Sequence, residues 1–156
     1  MISHPKLLTP ELLTIGYEGT TLARVIAALR AAQVELLIDL RAVPASRKPG
    51  FSKRLLAASL QAENISYRHL QALGTPKEGR DAARAGKIGH MHAIVRAHIA
   101  SDQGQAELAQ ACAAARAQRT CLMCFEHDPA RCHRSLVAEM IAATTGQRIF
   151  HIDPWP

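Results

Sequence analysis

A short segment toward the C-terminal end holds the residues whose types best suit chemistry: residues 124–134 read CFEHDPARCHR. A cysteine near a helix N-terminus, with an arginine and a histidine close by, has the surroundings that lower a thiol pKa and produce a thiolate. We therefore predict Cys132 as a nucleophile or redox thiol, and Glu126 or His133 as the group that carries a proton. The alternative interpretation is structural, with Cys132 a small buried hydrophobic residue and His133 a hydrogen-bonded core residue.

The residues around this segment predict how it is folded. Asp128 is a good N-cap and Pro129 a good first helical residue, so we predict a helix over 129–143. Apolar residues follow Cys132 and His133 at steps of four, which places both side chains on the inward face of the helix, near its positive end.

Spacing argues against several familiar sites. Six residues, one of them a proline without an amide hydrogen, separate Cys124 from Arg131. This spacing does not match the phosphatase or sulfur-transfer loops, in which successive backbone amides wrap one anion. Cys121 and Cys124 lie three residues apart on a predicted strand, so they face opposite sides and should not share a zinc ion. We predict no metal and no cofactor, and we expect all four cysteines to serve as thiols, ligands or catalytic groups rather than as a disulfide framework.

Further polar residues follow the first and second predicted strands, at the point where each strand ends. Because the carboxyl ends of parallel strands meet at one edge of a sheet, these residues should share a rim with residues 124–134. Arginines grip a phosphate or carboxylate through bidentate hydrogen bonds. The predicted substrate-binding residues are Arg41, Arg47, Arg134, Tyr17, Asp39 and Ser46.

Asp39 and Arg41 also permit a purely structural interpretation. They share one face at the end of a predicted buried strand, where an unpaired charge would be costly. The alternative to a ligand is therefore an ion pair, in which Asp39 contacts Arg47 or Arg134.

Strands and helices alternate along the chain, which predicts the scaffold that positions these residues. Apolar runs predict strands at 12–15, 34–40, 65–70, 120–125 and 148–152, and helical spacing predicts helices at about 22–29, 53–63, 91–100, 105–117 and 129–143. Residues 71–90 are rich in glycine and are predicted to form a long irregular excursion. The pattern indicates an α/β fold, a three-layer sandwich with a mainly parallel sheet, Rossmann-like or flavodoxin-like.

Composition limits the class of protein. A chain of 156 residues, 48% hydrophobic, fits one domain over 1–156. No apolar run is long enough to span a membrane, and the N-terminus has no secretory-signal pattern, so we expect a cytoplasmic protein without a membrane partner. The net charge of +6 suits a phosphate-bearing small molecule or a nucleic acid, although 4% aromatic residues are too few for a base-stacking platform.

Four segments together resemble a known family, the domain-of-unknown-function family numbered 488. They are TIGYEGT, LIDLRAVPASRKPGF, YRHLQALG and CLMCFEHDPARCHRSLVAEMI, followed by a terminal HI. The resemblance implies a small α/β sandwich and supplies no reaction. Where members of the family often have His-Ser, this chain has Tyr17-Glu18. The motif positions that it carries over are Gly16, Asp39, Arg41, Pro44, Ser46, Arg47, Phe51, Glu126, Cys132, His133 and Arg134.

Three functional hypotheses remain open on the sequence. The first is an enzyme with a basic Arg/Cys/His/Glu pocket that acts on a phosphate-bearing substrate such as a nucleotide or nucleic acid. The second is a noncatalytic nucleotide- or nucleic-acid-binding module, and the third is a protein-interaction domain whose rim is a network of ion pairs. The sequence leaves the oligomeric state open.

Overall fold

The computed structural model describes residues 10–155 and contains a five-stranded parallel sheet with the strand order β3-β2-β4-β1-β5. β4 lies at the centre, between β1 and β2, so strands from the two halves of the chain alternate there. The strands are β1 (Leu12–Gly16), β2 (Leu36–Asp39), β3 (Ser66–His69), β4 (Thr120–Cys124) and β5 (Ile149–Ile152). The helices are α1 (Leu22–Ala31), α2 (Lys53–Gln61), α3 (Lys77–Arg84), α4 (Ile88–Ile99), α5 (Asp102–Ala117) and α6 (His133–Thr145).

Helices cover both faces of the sheet, since successive residues of each strand point to opposite sides. On one side Leu13 and Met123 pack in a cluster with residues of α1 and α2. On the other side Leu12 and Leu122 pack in a cluster with residues of α4, α5 and α6. The predicted three-layer α/β sandwich is therefore confirmed. Among residues 10–155, no helix combines the length and the apolar character that crossing a membrane requires.

The prediction of an irregular excursion over 71–90 is wrong. A short 3-10 helix occupies residues 71–73, α3 follows, and α4 begins within the segment. Gly79, which suggested a loop, is buried inside α3, where a Cβ would lie 2.6 Å from the Thr75 side chain and 3.4 Å from Ile94 of α4. Since 3.4 Å is an ordinary van der Waals contact, it is the Thr75 methyl group, just before α3, that leaves no room for a side chain at residue 79.

The last helix begins later than predicted. Asp128 does cap a turn, and its carboxylate accepts a hydrogen bond from Ala130 N, but this turn is a 3-10 helix that ends at Arg131. Cys132 then adopts an extended conformation and becomes the N-cap of α6. The break at Cys132 turns its side chain toward the ends of the strands.

Candidate functional site

The carboxyl ends of β1, β2 and β4 border a cavity of about 720 Å³. Tyr17 and Glu18 follow β1, Arg41 follows β2, and Cys124 is the last residue of β4. The predicted rim therefore forms, because the ends of parallel strands meet at one edge. Other residues of the cavity wall that enter the argument are Ser46, Arg80, Arg84, Glu126, Arg131 and His133.

Asp39 and Arg41 form a buried ion pair beside the cavity. Arg41 Nε donates to Asp39 Oδ1 over 2.9 Å, and Arg41 Nη2 donates to Asp39 Oδ2 over 2.7 Å. Burial alone would lower the pKa of Arg41, but the hydrogen bonds and charge of Asp39 outweigh it and raise that pKa. The predicted pairing of Asp39 with Arg47 or Arg134 is wrong, because the Arg41 side chain folds back onto the carboxylate two residues before it.

Three further groups hold this ion pair in place. Arg41 Nη1 donates to the Tyr17 hydroxyl over 3.1 Å and to the Phe51 carbonyl oxygen over 2.7 Å. The Tyr67 hydroxyl donates to Asp39 Oδ2 over 2.6 Å. Sequence reasoning missed Tyr67, whose only signal was its place in a short strand that pairs with β2. With so many donors engaged, Arg41 contributes mainly a fixed wall of the cavity.

Arg134 is fully buried beneath the site and lies outside the cavity wall. Its Nε donates to Thr14 Oγ1 over 3.1 Å, its Nη2 to the His127 carbonyl over 2.9 Å, and its Nη1 to the Glu126 carbonyl. Nη1 also lies 3.4 Å from Cys124 Sγ. Burial lowers the pKa of Arg134, and no carboxylate of residues 10–155 forms an ion pair with it. The cysteine sulfur is thus in contact with a buried positive charge.

Gly16 is needed for this arrangement. A Cβ at Gly16 would overlap the backbone oxygen of Glu126 and would come within 2.9 Å of Arg134 Nη1. The absence of a side chain lets the loop after β4 and the guanidinium lie directly against the end of β1.

Cys124 and Cys132 are joined by a disulfide in the structure, whereas Cys112 and Cys121 are free. This pairing corrects the expectation that the cysteines serve as thiols, ligands or catalytic groups rather than in disulfides, and it arises because a strand end and a helix N-cap deliver both side chains to the same place. Cys121 packs in the core on the side of the sheet opposite to Cys124, as the spacing predicted, and burial raises the pKa of its thiol.

His133 and Cys132 are both buried, which confirms their predicted inward direction. His133 Nε2 lies 3.0 Å from the Leu40 carbonyl oxygen. A carbonyl can only accept, so Nε2 carries the ring proton and Nδ1 is left with a free lone pair. Nδ1 lies 3.8 Å from Cys132 Sγ. Burial lowers the pKa of His133 to about 4, so the ring is neutral near pH 7.

Glu126 provides a carboxyl group at the cavity wall. Its Oε2 lies 3.5 Å from Cys124 Sγ. Burial raises the pKa of Glu126, because the charged form loses hydration. A carboxyl group with a raised pKa can exchange a proton closer to neutral pH than an exposed one, which suits the predicted role of Glu126 as a proton carrier.

The three arginines predicted to grip one anion are not brought together. Arg41 forms an ion pair with Asp39, and Arg134 is fully buried outside the cavity wall. Arg47 is exposed and also lies outside the cavity wall. Ser46 does line the cavity, where its Oγ accepts from Lys48 N over 3.1 Å.

Other arginines occupy the place predicted for these three. Arg80 and Arg84 of α3 and Arg131 of the 3-10 turn line the cavity. Sequence reasoning missed Arg80 and Arg84, because their segment looked like a loop.

Comparison with known proteins gives a family but no function. No curated protein and no solved structure matches the chain. The family model described as "Domain of unknown function DUF488" matches residues 21–141, which is most of the sequence, and the chain therefore belongs to the DUF488 family.

Proposed function

We propose that this protein is an enzyme that acts on a phosphate-bearing substrate bound in the cavity, with a thiol of the Cys124/Cys132 pair as its reacting group. The contact between Cys124 Sγ and the buried Arg134 guanidinium, 3.4 Å apart, carries this proposal. A positive charge without a carboxylate partner favours the thiolate over the thiol once the disulfide is reduced. We assign the nucleophile to Cys124, because Cys124 lines the cavity and Cys132 lies behind it.

The cavity wall carries four arginines against the two carboxyl groups of Glu18 and Glu126, and this excess of arginine favours an anionic substrate. The charge of Arg41 is balanced by Asp39, but Arg80 and Arg131 form no ion pair with residues 10–155. Arg84 forms an ion pair with Asp81, which is half exposed. Phosphate oxygens are the usual ligands of such guanidinium groups, since the planar fork of arginine matches them in geometry and charge.

Two polar groups lie next to the thiols. Glu126 lies beside Cys124, and its raised pKa allows it to hold a proton for a leaving group. The unprotonated Nδ1 of His133 faces Cys132 and can accept a hydrogen bond from its thiol. We therefore assign proton transfer to Glu126 rather than to His133, and the nucleophile to Cys124 rather than to Cys132.

Thiol alkylation tests the proposal without knowledge of the substrate. The protein is reduced with a phosphine, and the alkylation of each cysteine is followed by peptide mass spectrometry near pH 7. We expect Cys124 to react at least about tenfold faster than Cys112, since each unit of pKa lowering gives about tenfold more thiolate. Inorganic phosphate and a nucleotide should slow the reaction of Cys124 alone.

A matched pair of arginine variants controls for general charge. R131A should abolish protection by phosphate, because Arg131 lines the cavity, and R47A should retain it, because Arg47 lies outside. Equal alkylation rates for Cys124 and Cys112 would refute the assignment of Cys124 as the nucleophile. Protection in the absence of fast alkylation would instead identify a noncatalytic anion-binding module.

A further inference from the structure

We propose that the reduced protein binds a zinc ion through Cys124 Sγ, Cys132 Sγ and His133 Nδ1, with the fourth coordination position open to the cavity. The proposal adds a means of regulating the reactivity of the Cys124/Cys132 pair, on which the proposed function rests, and it does not depend on which substrate the cavity binds. Zinc is chosen because two thiolates and an imidazole form a donor set typical of that ion.

The distances between the donor atoms fit one ion. The three atoms all lie within 4.8 Å of one another, and Cys132 Sγ is 3.8 Å from His133 Nδ1. In a tetrahedral site with Zn–S of about 2.3 Å and Zn–N of about 2.0 Å, neighbouring donor atoms are about 3.5–3.8 Å apart. The side chains therefore need only small shifts once the sulfurs are no longer bonded to each other.

The backbone spacing leaves room for the ion. The Cα atoms of Cys124 and Cys132 are 7.5 Å apart. This separation exceeds the span of about 4.4–6.8 Å that is usual for disulfides. Both residues belong to ordered elements, the end of β4 and the N-cap of α6, so the sulfurs are held facing each other.

The environment of His133 prepares it as a ligand. Its Nε2 proton is bound by the Leu40 carbonyl oxygen, which fixes the tautomer and aims the Nδ1 lone pair toward the sulfurs. Metal-bound histidines commonly donate their other ring N–H to a backbone carbonyl in this way. A buried, hydrogen-bonded imidazole that exposes an unprotonated nitrogen to two cysteines is hard to explain by packing alone.

The remaining groups balance the charge and leave a place for a fourth ligand. Binding converts two thiols into thiolates and releases their protons to solvent, so no electron transfer is involved. Arg134 supplies N–H groups to both sulfurs, from its backbone to Cys132 and from Nη1 to Cys124, each over 3.4 Å. Glu126 Oε2, near Cys124 Sγ, or a water from the cavity can complete the coordination.

A bound zinc ion would exclude both the disulfide and the free thiolate. Oxidation needs two unbound sulfurs, and alkylation or nucleophilic attack needs one. Zinc would therefore hold the pair reduced and unreactive until the ion leaves.

The test uses the full chain, reduced with a phosphine and desalted without oxygen. Zinc is titrated against a chromophoric chelator, and cobalt(II) serves as a spectroscopic probe of thiolate ligation. We expect one zinc ion per chain and a thiolate-to-cobalt charge-transfer band. Zinc should also protect Cys124 and Cys132, but not Cys112, from alkylation in the wild-type protein. Absence of the band, or protection that includes Cys112 equally, would overturn the proposal.

Variants identify the third ligand. Substitution of an outer-shell residue typically lowers metal affinity about 10- to 100-fold, so H133Q, which removes a ligand, should lower zinc affinity by more than that. H127Q, at an exposed histidine close to the site, should bind zinc normally. C132S should lose the cobalt band and C112A should keep it. Unchanged affinity in H133Q would refute the assigned ligand set, and the wild-type protection experiment decides the matter if a variant does not fold.

The zinc site and the proposed function can fail separately. R131A should keep zinc binding while losing protection by phosphate. C132S, measured without metal, should keep the protection of Cys124 by phosphate while losing zinc, because Cys132 lies outside the cavity wall.

Discussion

Replacing Asp39 by asparagine tests the buried ion pair that forms one wall of the cavity. Asp39 is fully buried, and its carboxylate accepts from Arg41 N, Nε and Nη2 and from the Tyr67 hydroxyl. Asparagine has nearly the same shape, but the amide nitrogen that replaces one carboxylate oxygen cannot accept a hydrogen bond. D39N therefore leaves the Arg41 guanidinium buried without its counter-charge.

The expected loss of stability is large for a single isosteric change. Breaking a buried pair by removing one partner costs about 3–5 kcal/mol in the free energy of unfolding. For a domain of this size, each kcal/mol lowers the melting temperature by about 2–4 °C, so D39N should melt about 6–20 °C below the wild-type protein. Y67F removes one hydrogen bond at a half-buried position and should cost about 1 kcal/mol.

Urea denaturation followed by circular dichroism measures these changes. D81N is the matched control, because Asp81 forms surface ion pairs with Lys77 and Arg84, and exposed pairs contribute about 0–1 kcal/mol. In a double-mutant cycle with R41M, the double variant should be more stable than the sum of the single effects implies, since both members of the pair are then absent. A D39N protein within about 1 kcal/mol of wild type would refute the reasoning.

Two further predictions follow from packing and from protonation. G16A should lose about 1–3 kcal/mol in urea denaturation, because its Cβ would overlap the Glu126 backbone oxygen, whereas G89A, where a Cβ meets nothing within 4 Å, should be as stable as wild type. Because the pKa of His133 falls to about 4 on folding, the unfolded state binds the extra proton below about pH 6.5, and stability should drop by about 2 kcal/mol from pH 7 to pH 5. Denaturation curves of H133Q should lack this decrease, and an equal decrease in both proteins would contradict a neutral buried ring.

Much of the fold followed from the sequence, because the three inner strands of the sheet, β1, β2 and β4, are largely apolar runs that are buried on both faces. The same logic placed Tyr17, Arg41 and Cys124 at one edge, since parallel strands end together and polar residues that follow them must converge. Inward-facing Cys132 and His133 followed from the apolar residues one helical turn beyond each.

What the sequence did not reveal depends on contacts between distant segments. Gly79 has the same local signature whether it interrupts a helix or lies within one, and the burial of α3 against α4 is not visible in that signature. The partner of Asp39 depends on how the Arg41 side chain folds, which spacing alone does not determine. The extended conformation of Cys132 likewise reflects contacts with the strand ends, so the start of α6 was predicted too early.

The position of β1 in the sheet has a consequence for how the chain is made. β1 pairs on one edge with β4 and on the other with β5, and both of these strands lie far along the sequence. During synthesis from the N-terminus, residues 12–16 therefore emerge with both edges unpaired and stay so until the ribosome has passed residue 124. Unpaired strand edges invite association with other chains. Both edges of β1 therefore stay open to association with other chains until β4 and β5 have been synthesised.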